Sequence, residues 1–208
     1  ELPKEVKRSL AFLLFSVAFW FFAYNAMETW FTTYAKSVWD MTTGQASLCL
    51  TVATGGAILA YVPVGSIAAK IGRKKTILSG IIMMLISFVV ALIFSMMSDS
   101  FHPFLYVLFL LVGFGWAGIN VNSLPMVLEM CKGSDIGKFT GYYYTFSMSA
   151  QIVTPIVAGF LMEHVGYKTL FPYAAVFMII AFITMQFVKH GDSRDGIKQG
   201  LDAFDFED

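Results

Sequence analysis

The sequence predicts an all-α membrane protein: six transmembrane helices in an inverted three-plus-three repeat, with both termini cytoplasmic. Three observations carry that expectation. Of 208 residues, 57% are hydrophobic and 13% charged, against about 25% charged in an average soluble domain, and mean hydropathy is +0.69. Six stretches are long and apolar enough to cross about 30 Å of hydrocarbon. The basic residues fall almost entirely on one side of those stretches.

A lead-in over residues 1–8, Glu-Leu-Pro-Lys-Glu-Val-Lys-Arg, opens the chain. It has no initiator methionine and is no cleaved signal peptide, which implies further residues upstream. The first span covers 10–34, and a polar turn from Lys36 to Gly44 leads to the second, 44–69. Before the third span, 76–97, four of the fourteen basic residues crowd into Lys70 to Lys75. Ser98 to Pro103 precedes the fourth span, 103–130; Lys132 to Lys138 precedes the fifth, 137–162; Glu163 to Lys168 precedes the sixth, 168–188. The membrane domain is thus 9–189, and residues 190–208 read as a mobile acidic cytoplasmic tail.

Lys4, Lys7, Arg8, Lys70, Arg73, Lys74, Lys75, Lys132, Lys138, Lys189, Arg194 and Lys198 share one side, while only Lys36 and Lys168 lie on the other. Cationic loops stay in the cytoplasm, so both termini are placed there. The second span ends Pro63-x-Gly65 and then Gly72-Arg73-Lys74-Lys75-Thr76-Ile77; the fifth ends Pro155-x-x-x-Gly159 and then Gly166-Tyr167-Lys168-Thr169-Leu170. One ending lies inside and the other outside, which an inverted repeat requires. From Ile77 to Met97 and from Thr169 to Val188 the third and sixth spans carry no charge, and they read as lipid-facing. The first, fourth and fifth hold Asn25, Glu28, Asn120, Asn122, Glu129 and Gln151.

A formal net charge of zero gives nucleic acid no basic surface to bind, so lipid is the expected surroundings. The 21 phenylalanines suit a lipid-facing surface, and Met83-Met84 and Met96-Met97 read as lipid-facing filler. Cys49 and Cys131 fall near opposite faces as small buried residues, too far apart to bond. His102, His164 and His190 fall in turns or the tail, where solvation is expected. No zinc-ligand cluster, phosphate-binding glycine loop or Ser/His/Asp grouping stands out, so neither an enzyme nor a cofactor is expected.

Gly65 to Lys75 resembles the signature loop of the major facilitator superfamily, Gly-x-x-x-Asp-x-x-Gly-Arg-Lys/Arg, except that Ala69 stands at the acid. A degraded copy resembles the second half of such a transporter, and Pro155 to Phe171 resembles its eleventh helix and following turn. The resemblance covers nearly all of 9–189. Asn120-Val121-Asn122-Ser123-Leu124-Pro125 and Gly141-Tyr142-Tyr143-Tyr144 are similar to the branch that carries sucrose and other glycosides with cations. The resemblance implies alternating access, with two six-helix halves rocking about a central site. It also implies a gate at the Gly65, Gly72, Arg73 and Lys74 corner, where Glu129 pairs with Arg73 to latch the cytoplasmic side.

Only Glu28 and Glu129 lie within predicted spans among the fourteen acidic residues. A carboxylate at mid-membrane costs roughly 2.5–3.5 kcal/mol on insertion scales, so it needs a partner or a task. Glu28 shares a helix face with Asn25. It suits sugar hydroxyls or the coupling ion, a proton or else sodium; alternatively it pairs with Lys36 or with the missing half. Thr140, Tyr144, Ser147, Gln151 and Thr154 make a polar stripe on the fifth span, with Gln151 near its middle. Small hydroxyls in such a stripe also serve helix packing. Trp116 and Asn120, one turn apart, suit a sugar ring stacked on the indole and bonded by the amide; packing against Gly113, Gly115 and Gly118 is the other reading. Asn122 shares the Glu129 face, and Tyr24 is a further aromatic candidate.

The leading expectation is therefore half of a multi-pass cell-membrane transporter importing a sugar with a cation. Its other half lies upstream or is a second copy. An exporter of apolar drugs and a six-helix sensor or scaffold that carries nothing are the alternatives.

Overall fold

The computed structural model describes residues 2–192 apart from Lys132. It contains six long helices: α1 Lys4–Trp39, α2 Thr43–Ile71, α3 Arg73–Met97, α4 Leu105–Leu128, α5 Ile136–His164 and α6 Leu170–Gln186. All six belong to spans long and apolar enough to cross a membrane. Most of the expected lead-in is already helix, because Pro3 fits the position before a first turn and nothing after it breaks the pattern. Asp40, in the left-handed region at φ 49, ends α1. A reciprocal capping box then starts α2, in which Thr42 N–H donates to Gln45 Oε1 at 2.9 Å and Gln45 N–H to Thr42 Oγ1 at 3.3 Å.

The packing carries the inverted repeat. Helix α1 lies against α5 and α6, while α4 lies against α2 and α3. The first helix of each repeat thus inserts between the second and third helices of the other. Helices α3 and α6 meet along the seam. Glycine makes the close approaches possible: a Cβ on Gly113 would overlap the Ala53 carbonyl, and Gly80 and Gly115 face each other backbone to backbone. Polar bonds pin other helix pairs, Ser16 to Thr184 at 2.7 Å for α1 and α6, and Ser123 to Tyr143 at 2.9 Å for α4 and α5.

Both ends of the described chain lie together. Ser9 Oγ meets His190 Nδ1 at 2.8 Å and accepts from Lys189 N–H at 3.1 Å. Of the expected tail, residues 190–192 pack on the domain, and the remainder lies outside the described residues. His190 is half-buried and bonded, where solvation was expected.

Lipid-facing expectations need two corrections. Met84 is buried over Gly115, although Met96 and Met97 are indeed exposed. Among the described phenylalanines only Phe15, Phe160 and Phe187 are exposed. Many of the others pack against aromatic rings, as Phe31, edge-on, and Phe94 and Phe171, tilted, do around Trp39. Between Thr76 and Met97 of α3 and between Leu170 and Met185 of α6 the exposed large side chains are apolar, while Lys75 and Gln186 are exposed at the helix ends. Helices α2 and α5 are the least buried, and their open faces mix polar with apolar side chains.

Candidate functional site

An open face formed by α1, α2 and α4 gathers the chemistry. Helix α1 contributes Tyr24 and Glu28, one turn apart; α2 contributes Tyr61, and α4 contributes Trp116 and Asn120, again one turn apart. Asn120 Nδ2 donates to Tyr61 Oη across 3.4 Å, and both residues are exposed. Tyr24 lies flat on Trp116, with ring centroids 3.8 Å apart and planes 3° from parallel, and Phe21 meets Trp116 edge-on. Glu28 and Tyr24 also border a 40 Å³ cavity with Thr54 of α2.

This arrangement corrects two residue expectations. Trp116 is only 7% exposed, and Tyr24 covers its ring, so the indole supports Tyr24 and does not itself offer a face. Gly113 packed on Ala53 and Gly115 on Gly80 support the alternative reading of this stretch as a helix-packing surface. Asn25 is buried, and its amide donates to the Phe21 carbonyl of its own helix at 2.9 Å. Glu28 is exposed and makes no ion pair with Lys36 among the described residues. Tyr61 was missed by the sequence reading. It sits in an apolar run of α2 with no polar neighbour one turn away, and only the packing of α2 on α4 brings Asn120 beside it.

The stripe on α5 divides. Ser147 and Thr154 are buried and donate to carbonyls of their own helix, so they serve packing. Tyr144 and Gln151 are exposed on the open side, with Tyr144 edge-on to Tyr143. Higher along α5, Trp30 Nε1 donates to the Pro155 carbonyl at 3.1 Å, and its ring lies against Gly159.

At the opposite end, α2 and α3 are separated by Gly72 alone, at φ 98 and ψ 153, a region open essentially to glycine. The expected turn from Lys70 to Lys75 thus shrinks to one residue. Arg73 pairs with Glu129 through its guanidinium, both side chains largely buried at 15% and 17% exposure. Lys74 does not face an acid from α4. Its Nζ donates to the carbonyls of Gln186 and Val188 at 3.0 and 2.6 Å, capping the end of α6. Gly65 faces open space within α2, so close helix approach does not explain it. Asn122 donates to the Gly118 carbonyl at 2.8 Å and turns away from the Arg73 corner.

The other corner answers this one. Gly166 adopts φ 133 and ψ 156, close to Gly72, and Thr169 donates to its carbonyl at 2.7 Å as Thr76 does to that of Gly72 at 2.8 Å. The sequence matches the Major Facilitator Superfamily over residues 10–201. The chain belongs to that superfamily. Among superfamily relatives, the chain is 28% identical over 134 residues to the MFS-type transporter ppzB of Metarhizium rileyi (strain RCEF 4871), covering 64% of this chain and 27% of that protein. In fold it is similar to the human organic anion transporter MFSD10 (TETRAN), with a TM-score of 0.72 and 12% identity over 96% of this chain and 52% of that one. A bacterial homologue of the iron transporter ferroportin, in an outward-facing state, gives a TM-score of 0.64 and 13% identity over 89% of this chain and 49% of that one. The chain thus spans about a quarter of that relative's length and about half of each of the two superfamily structures.

Proposed function

We propose that this chain is half of a secondary active transporter that works by alternating access, importing a sugar or glycoside together with a cation. The observation that carries this reading is the Tyr61–Asn120 pair beside exposed Glu28 on the open face of α1, α2 and α4. A hydroxyl, an amide and a carboxylate offer both donors and acceptors to a polyhydroxylated ligand. Tyr24, backed by Trp116, presents an aromatic edge to the same face, and Tyr144 and Gln151 add polar groups from α5. Glu28 carries the coupling proton. Sodium is the alternative that the experiment below separates.

The Arg73–Glu129 pair latches the inner side. A second six-helix half, in the same polypeptide or in a second copy, covers the open faces of α2 and α5. Their low burial supports this, as does coverage of only about half of the superfamily structures. Such a protein belongs in a cell membrane.

The full-length protein in liposomes, given one sugar under an imposed gradient and then in counterflow, tests the role of Glu28. Glu28→Gln is expected to lose proton-driven accumulation while keeping counterflow exchange. Unchanged accumulation would remove Glu28 from coupling, and accumulation driven only by sodium would reassign the ion.

A further inference from the structure

The first turn of α3 reads Arg73-Lys74-Lys75, three cations at the positive end of a helix dipole. Its N-cap is Gly72, which has no side chain to accept the free backbone N–H groups. The local sequence therefore opposes a helix start here. An acceptor arrives from the other repeat: Asp192, just beyond α6, places Oδ1 2.5 Å from Arg73 N. Gly72 leaves room for it, since a Cβ there would lie 2.9 Å from Asp192 Oδ2. Lys74 closes the joint from its own side by capping the end of α6.

The outer face repeats the device. Lys168 follows Gly166 by the interval at which Lys74 follows Gly72, and it reaches Asp99, just beyond α3, at 2.9 Å. On each face, the corner lysine of one repeat meets the trailing end of the other repeat's third helix, and an acid follows that helix. The outer pair is 52% and 80% exposed, where such contacts contribute little. The inner joint is half-buried and holds the backbone of the arginine that pairs with Glu129.

We propose that Asp192 is a positioning residue of the inner gate. It fixes the Arg73 backbone so that the guanidinium meets Glu129, and it gives a carboxylate to a corner whose signature acid is replaced by Ala69. The inference rests on the reading of Arg73–Glu129 as a gate. Two native thiols make it testable. Cys131 is half-buried and borders a 440 Å³ cavity with Glu129 and Asp192; burial holds its thiol above the ordinary range, which slows its resting reaction. Cys49 is fully buried within α2.

Maleimide labelling of the full-length protein in liposomes, read peptide by peptide, gives the rate at each thiol. Glu129→Gln and Asp192→Asn are each expected to speed labelling of Cys131 about tenfold, the scale of one hydrogen bond lost from a charged group. The combined variant should be no faster than either alone, because both act through one contact. Asp192→Glu, which keeps the charge, and Asp99→Asn, on the other face, should stay within about twofold of the parent. Cys49 should remain unlabelled throughout. If Glu129→Gln speeds labelling and Asp192→Asn does not, Asp192 has no positioning role. Multiplying effects would make it independent of the pair, and labelling of Cys49 alongside Cys131 would make it a fold contact; either overturns the proposal. No effect of Glu129→Gln sinks the gate reading itself, and this inference with it.

Discussion

Tyr61 and Asn120 lean toward one another across 3.4 Å while both stay exposed. A pair so arranged is weakly held in the resting protein and open to a competing hydroxyl. Tyr61→Phe and Asn120→Ala are each expected to weaken sugar binding about three- to tenfold, the range for one neutral hydrogen bond, with little loss of stability. Titration calorimetry across the sugar panel measures this, and a variant that binds as tightly as the parent would remove its residue from the site. Trp116 behaves differently. Being buried beneath Tyr24, it would act on the proposed ligand only through that ring.

At the scale of the helices, the two signature glycines have opposite roles. Gly72 holds a glycine-only conformation with Asp192 against its Cα, so Gly72→Ala should cost about 1–3 kcal/mol. Gly65 lies within α2 facing open space, so Gly65→Ala should leave the six-helix unit unchanged or stabilise it by up to about 1 kcal/mol. Unfolding in mixed micelles compares the two, and equal losses would contradict the assignment. The same helices show what could be read from the chain. Hydropathy placed all six spans because no membrane-length apolar run hides in a sequence. Gly72 and Gly166 marked the repeat because both corners need one unusual backbone conformation. The Arg73–Glu129 contact followed from the family resemblance, which brought together residues far apart in the chain. Spacing along one helix failed where a second helix decides: Ser147 and Gln151 fit one stripe, yet α5 buries the first and exposes the second. Tyr61 and Asp192 owe their roles to neighbours on other helices, and no local pattern encodes those.

Across the whole molecule, each repeat supplies the first helix that fills the other, and α3 and α6 close the seam. Acid and lysine bind that seam at both ends, tightly at the inner corner and loosely at the outer. Such joints fit a unit that moves as one body, which the proposed alternating access would require of each half. Its open face still lacks a partner among the described residues, and the polar groups of α1, α2, α4 and α5 look onto it. Uptake by the full-length protein in liposomes, measured over a sugar panel with and without an imposed proton gradient, tests this account most directly. The account predicts gradient-driven accumulation of at least one glycoside, reduced in Asn120→Ala. Uptake of no sugar under any gradient, or accumulation untouched by Asn120→Ala, would contradict it.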